Sequence, residues 1–216
     1  ICTIPAFLYS VNFFQDKTNI PVDVATLEGC FPEHKALNGK LSALEKSGEL
    51  IRLKKGLYVV APEVSGALID LNLVANHIYG PSYVSMETAL AYYGLIPERV
   101  YQVKSMTLKH SRYFENSLAN FLYTQTTPEY YSVGLNVEVK DGYGFLMASP
   151  EKALCDLIVS TPNLHPRFKS AMYEFLESDL RLDMDAFFKM NVSVINQVLT
   201  CCKKKQDVDL LRRMLE

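Results

Sequence analysis

Residues 44–60 read LEKSGELIRLKKGLYVV, and this stretch limits the fold more than any other. A helix runs out at Ser47-Gly48, since glycine just past the last periodic residue is a stop signal. Two β-like runs come at once, 50–53 and 57–60, with only Lys54-Lys55-Gly56 between them. So short a connection makes a hairpin, and a glycine of positive φ at its end suits a short loop with a bulge. The chain is therefore not a plain helical bundle, and it carries two lysines at a hairpin tip. Such a tip belongs beside something negatively charged.

Upstream, residues 4–15 are apolar enough for a first helix. Residues 22–27 read as a short second helix closed by Gly29, and a third runs from about 32 to 46. Leu37, Leu41 and Leu44 share one face of the third. Lys35, Gly39, Ser42 and Lys46 take the opposite face, with Asn38 at its edge. Gly39 would let a helix backbone approach a ligand closely, at a cost of about 1 kcal/mol relative to alanine. Three helices and a hairpin, in this order, form a winged helix-turn-helix, whose third helix enters the major groove while the wing touches the backbone. The expected DNA-binding residues are Lys35, Asn38, Ser42 and Lys46 on the helix and Arg52, Lys54 and Lys55 on the wing. Residues 21–60 hold six Lys/Arg against five Asp/Glu, a net charge of +1. Few phosphate contacts mean weak, salt-sensitive binding, so two copies on two half-sites would hold DNA better than one. The competing reading is a winged module that grips another protein.

The second part has a different texture. Residues 83–93 read as a helix ended by Gly94, and 101–109, 119–126, 135–140 and 143–148 as strands. Asp141-Gly142 between the last two is a strong hairpin signal. From Ser149 the chain reads helical to its end. Ser149 caps, Pro150 takes the first position, and Ala153, Leu154, Leu157 and Ile158 form an apolar face. Further helices are expected near 166–178, 183–190, 192–201 and 207–215. Pro-Glu occurs five times, at 32, 62, 97, 128 and 150, as helix-start punctuation. The expected fold class is α+β. A winged helix-turn-helix spans 1–62, and a mixed domain with a mostly antiparallel sheet and C-terminal helices spans 63–216.

The formal charge of −2 and a pI near 6.1 do not advertise nucleic-acid binding, so that reading rests on local charge. With 49% hydrophobic and 21% charged residues, the composition is that of a globular protein. The five cysteines, at 2, 30, 155, 201 and 202, form no C-x-x-C, and neighbouring Cys201 and Cys202 are badly placed for a shared bridge. Free thiols and a cytoplasmic location are the expectation. No apolar run is long enough to span a bilayer, so no membrane partner is expected. The opening ICTIPAFLYS lacks the basic leader of a signal peptide and a methionine, which reads as a start lying further upstream.

Catalytic signatures are missing: there is no P-loop, G-x-G-x-x-G, H-E-x-x-H or G-x-S-x-G. His34, His77, His110 and His165 are scattered without metal-ligand spacing. Glu138-Val139-Lys140, with Glu129 upstream, could hold Mg²⁺ in a nuclease-like site, although E-x-K on a strand is ordinarily a solvated face. Asp183-Met184-Asp185 could bind a cation but reads better as a helix cap. The reading is a protein that is not an enzyme and needs no cofactor or metal. Lys203-Lys204-Lys205 with Arg212-Arg213 is a second basic cluster, read as a solvated face of the last helix, with a second phosphate contact or an acidic partner surface as the alternative. Tyr92-Tyr93 and Tyr130-Tyr131 read as core residues or as interface anchors.

Three stretches carry a resemblance: SGELIRLKKGLYVV at 47–60, YGPSYVSMETALAYYGLIPERVYQVKSMTLK at 79–109 and GFLMASPEKALCDLI at 144–158. In order and spacing they resemble the AbiEi-type antitoxins of type IV toxin–antitoxin (abortive infection) systems, over about residues 37–160. The resemblance implies a bacterial repressor of its own operon. It also implies a C-terminal domain that counteracts a nucleotidyltransferase-like toxin, and binding to double-stranded DNA at inverted repeats of its own promoter, often as more than one copy. Orphan regulators with no toxin share these domains. The implied DNA contacts are the positions already named on the third helix and the wing.

Overall fold

The computed structural model describes residues 19–31, 36–98 and 101–216. The expected helix at 4–15 and residues 32–35, the expected first turn of the third helix, lie outside the described residues, and the third helix is described from Leu37. The described chain forms a small three-stranded unit joined to a larger mixed α/β body.

The small unit holds β1 (Val22–Asp23), α1 (Val24–Cys30), α2 (Leu37–Lys46), β2 (Leu50–Lys54) and β3 (Leu57–Val60), with antiparallel strand order β1-β3-β2. The expected second helix starts later than its sequence suggests. Val22 and Asp23 pair with Tyr58 and Leu57, and the Asp23 carboxylate caps α1 by accepting the Thr26 N–H at 2.8 Å. Asp is a strong N-cap, so it moves the helix start, and Gly29 falls inside the helix instead of ending it. The β2–β3 hairpin is as the sequence requires: Gly56 has φ +79°, and the register shifts between Arg52 and Lys54.

This hairpin is buried on both faces. Leu50, Tyr58 and Val60 join Val22, Leu27, Phe31, Leu41 and Leu44 in a small core beneath α2. Leu53, Leu57 and Val59 point the other way, into the large core of the second part. All four β3 residues are buried. The strand's two-residue alternation divides its side chains between the two cores. The hairpin is thus a shared wall, where the sequence suggested a projecting ribbon. Asn116 pins it further, its Nδ2 donating to the Leu53 carbonyl at 3.1 Å.

The larger body begins with α3 (Pro62–Ser65), α4 (Leu71–Ile78), β4 (Ser82–Val84) and α5 (Met86–Tyr92). Then come β5 (Gln102–Thr107), β6 (Arg112–Glu115), β7 (Asn120–Gln125), α6 (Pro128–Tyr131), β8 (Leu135–Lys140) and β9 (Tyr143–Ala148). The helical end consists of α7 (Pro150–Ser160), α8 (Lys169–Glu174) running into a π turn at Phe175–Asp179, α9 (Met184–Phe187), α10 (Val192–Cys201) and α11 (Lys205–Leu215). Among the described residues, no helix is long and apolar enough to cross a membrane. The six-stranded sheet has order β6-β7-β5-β4-β9-β8. Its β4–β9 and β5–β7 pairs are parallel and its β4–β5, β6–β7 and β8–β9 pairs antiparallel, so the sheet is mixed with antiparallel pairing in the majority. The α+β class stands. Residues 82–84, expected at the head of a helix, form a fully buried strand between β5 and β9, where sheet pairing overrides helical pattern. Asp141 and Gly142 both have positive φ, at 48° and 83°, as a two-residue hairpin turn demands. Of the four Pro-Glu pairs among the described residues, three, at Pro62, Pro128 and Pro150, open helices.

A charged cluster lies at the centre of this body. Lys152 and Asp156, one turn apart on α7, are both fully buried, with Nζ 3.1 Å from Oδ1. Ser85 donates to Asp156 Oδ2 at 2.6 Å, and the Lys152 ammonium donates to the Tyr130 carbonyl at 3.0 Å while lying 3.1 Å from the centre of its ring. The cluster ties α7 to α5 and α6. Desolvation pulls the Lys152 pKa down, against the pull of Asp156. The basic tail is also engaged. Lys204 Nζ donates to the carbonyls of Ile158, Thr161 and Leu164 at 3.2, 2.6 and 3.2 Å, closing the end of α7. Arg212 pairs with Asp209 and Glu216, and Arg213 with Asp209. Lys203 and Lys205 stay exposed, so the tail is only in part the solvated basic face that its sequence suggested. Cys155, Cys201 and Cys202 are free thiols.

The buried charges and phenols each bear on stability. Lys152→Met strands the Asp156 carboxylate in the core and should cost about 3–5 kcal/mol in urea unfolding, while the double change Lys152→Met/Asp156→Leu should recover most of it. In alkali the phenols matter. Burial raises the phenol pKa of Tyr83 and Tyr130 well above the ordinary value, and that of Tyr143 to about 12. The folded chain therefore keeps protons that the unfolded chain releases near pH 10, so stability holds below about pH 10 and falls as pH climbs toward the folded values. Melting temperature against pH, followed with tyrosinate absorbance, should show these phenols ionising only as the chain unfolds. Reversible ionisation of the buried phenols in a still-folded chain contradicts this.

Candidate nucleic-acid interface

The outer face of α2 is open to solvent. Leu41 and Leu44 are buried beneath it, and Asn38, Ser42 and Lys46 are exposed at four-residue spacing along one stripe. Lys46 sits in the last turn, where a cation complements the helix dipole, with exposed Glu45 beside it. Lys35 lies outside the described residues.

The hairpin cations divide. Arg52 is exposed on β2, paired with Tyr58, and Lys55 is exposed at the tip. Lys54 is not a free phosphate ligand: it is half-buried, and its ammonium donates to the Ile78 carbonyl at the end of α4 at 2.5 Å. Burial lowers its pKa, and Lys109 and Arg112 lower it further by repulsion.

Those two neighbours belong to the second part of the chain. Lys109 and Arg112 bracket the turn between β5 and β6, and both are exposed, as are His110 and Ser111 between them. The Lys109 ammonium lies 5.2 Å from the centre of the Tyr79 ring. The Arg112 guanidinium lies 4.9 Å from the Phe114 ring and 5.9 Å from Tyr79. Tyr79, Phe114 and Tyr123 pack together below, with ring centres 5.3–5.7 Å apart. This platform holds the two cations in place by cation–π attraction while leaving them open to water. Among the described residues, none of Arg52, Lys54, Lys55, Lys109 or Arg112 pairs with a carboxylate, whereas Lys104, Arg181, Arg212 and Arg213 all do. A positive patch thus spans the hairpin tip and the β5–β6 turn. Such a patch can bind phosphate oxygens, and the α2 stripe offers the amide and hydroxyl groups that read base edges.

Sequence reasoning alone does not find Lys109 and Arg112. Their signal is the run Lys-His-Ser-Arg at 109–112, but only folding brings it against Lys54. The other candidates are occupied. Glu138 accepts from the Tyr93 hydroxyl at 2.8 Å, and Lys140 faces Asp70 at 3.6 Å. Asp183 caps α9 through the Ala186 N–H. Tyr130 is core, and Tyr92 is 41% exposed. Among the described residues no group of three His, Cys, Asp or Glu is placed to hold a metal. The chain matches no protein-family model, and no curated protein is significantly similar to it.

The patch makes a direct prediction for polyanion affinity. Despite its formal charge of −2, the chain should be retained on a heparin column at low salt. Lys55→Ala/Lys109→Ala/Arg112→Ala should elute at clearly lower salt, and Lys203→Ala should elute with the wild type. Equal elution of all three contradicts a phosphate-binding role for the patch.

Proposed function

We propose that this protein is a DNA-binding repressor of its own promoter, with α2 reading bases in the major groove and the hairpin tip fastening the phosphate backbone. We further propose that it serves as the antitoxin that counteracts a nucleotidyltransferase-like toxin in a type IV abortive-infection system, in the bacterial cytoplasm. One observation carries the DNA reading: an exposed polar stripe on α2 together with tip cations that no described carboxylate neutralises. The arrangement supports a division of labour. Asn38, Ser42 and Lys46 would specify sequence, and Arg52 and Lys55, with Lys109 and Arg112, would position the duplex. Lys54 would act indirectly, holding the tip against α4. The antitoxin half rests on the resemblance of the 79–109 and 144–158 stretches; an orphan regulator would share the DNA half and lack the toxin.

A gel-shift titration on the native upstream region tests the reading. Binding should fall steeply with salt. Lys55→Glu and Arg112→Glu should each flatten the slope of log K against log salt by about one for every phosphate no longer neutralised. Asn38→Ala should cost about 1–3 kcal/mol on the native site and much less on random duplex. A chain that ignores the upstream region but forms a stable complex with a protein points instead to a winged interaction module.

A further inference from the structure

The two edges of the large sheet are built differently. β6 at one edge has only four residues, a short strand of the kind that discourages pairing. β8 at the other edge has six residues in unbroken register with β9, without proline or bulge. Val137 and Val139 on it are 65% and 76% exposed. The two-residue Asp141-Gly142 turn makes Lys140–Tyr143 the closing hydrogen-bonded pair. The backbone groups of Lys140, Glu138 and Asn136 then face β9, and those of Leu135, Val137 and Val139 face outward, unpaired within the sheet.

We propose that two copies of this chain join antiparallel along β8, with Val137 on the two-fold axis, to make one continuous sheet. The strand is complementary to itself in this register. Val137 meets Val137 of the second copy, Leu135 meets Val139, and Asn136 meets Glu138, so an amide donor lies opposite a carboxylate on both sides of the axis. No like charges face each other. An axis at Glu138 would oppose two carboxylates, and an axis at Val139 would leave half of each strand unpaired. The polar face is already set in place: the Tyr93 hydroxyl donates to Glu138 at 2.8 Å and accepts from Asn136 Nδ2 at 3.3 Å. A foreign strand would have to supply this same alternation, whereas a second copy supplies it by symmetry. The inference stands apart from the DNA reading, since a dimer can form whether or not the α2 face binds a duplex.

Sedimentation velocity of the full chain over a range of concentrations tests it. The wild type should pass from monomer to dimer as concentration rises. Val137→Lys and Val137→Glu, each placing like charges on the axis, should sediment as monomers with melting temperatures near that of the wild type. An equimolar mixture of the two should dimerise again. Val139→Lys, opposite Leu135, replaces Val137→Lys if the latter does not fold. Monomer at every concentration, a dimer that survives these substitutions, or a mixture that stays monomeric overturns the proposal.

Discussion

The β2–β3 hairpin is the constraint on which the rest of the architecture depends, because two cores share it. Tyr58 and Val60 face the small core under α2, and Leu57 and Val59 face the large one. A slip of one residue would exchange the two sets and empty both cores of their matched partners. The register is therefore held from both sides, and so is everything attached to the hairpin. It sets which lysine of the tip is turned toward Ile78 and which toward solvent. It also places the tip beside Lys109 and Arg112, which lie more than fifty residues away along the chain.

The distribution of charge reflects this packing. The chain is slightly acidic, and many of its cations are neutralised within the second part: Lys104 by Glu87, Lys152 by Asp156 and Arg212 by Asp209. Lys204 is held by three carbonyls at the end of α7. Among the described residues no carboxylate pairs with the cations around the hairpin tip, so a protein of net negative charge keeps a positive surface there. Aromatic rings under Lys109 and Arg112 supply the restraint that carboxylates supply elsewhere, without removing the charge.

The local features are readable from the sequence. The Gly56 and Asp141-Gly142 turns, the Ser149-Pro150 cap and the apolar face of Ala153, Leu154, Leu157 and Ile158 are all present as expected. Each depends on neighbouring residues alone. The features that escape a sequence reading depend on distant ones. β4 looks helical until β5 and β9 flank it, and β6 is too short to announce itself. Lys152 sits in an ordinary helix-start pattern, and nothing nearby in sequence says that it will be fully buried against Tyr130. The site divides in the same way. The exposed stripe of α2 comes from helical periodicity, but the capture of Lys54 and the arrival of Lys109 and Arg112 are tertiary events.

Hydrogen–deuterium exchange of the full chain, with and without a duplex carrying its native upstream region, tests the central claim most directly. The account predicts slowed exchange in α2, at the hairpin tip around Lys55 and in the turn from Lys109 to Arg112, with the helices after Ser149 unchanged. Protection confined to those C-terminal helices, or no protection in α2 from a duplex that binds, would contradict it.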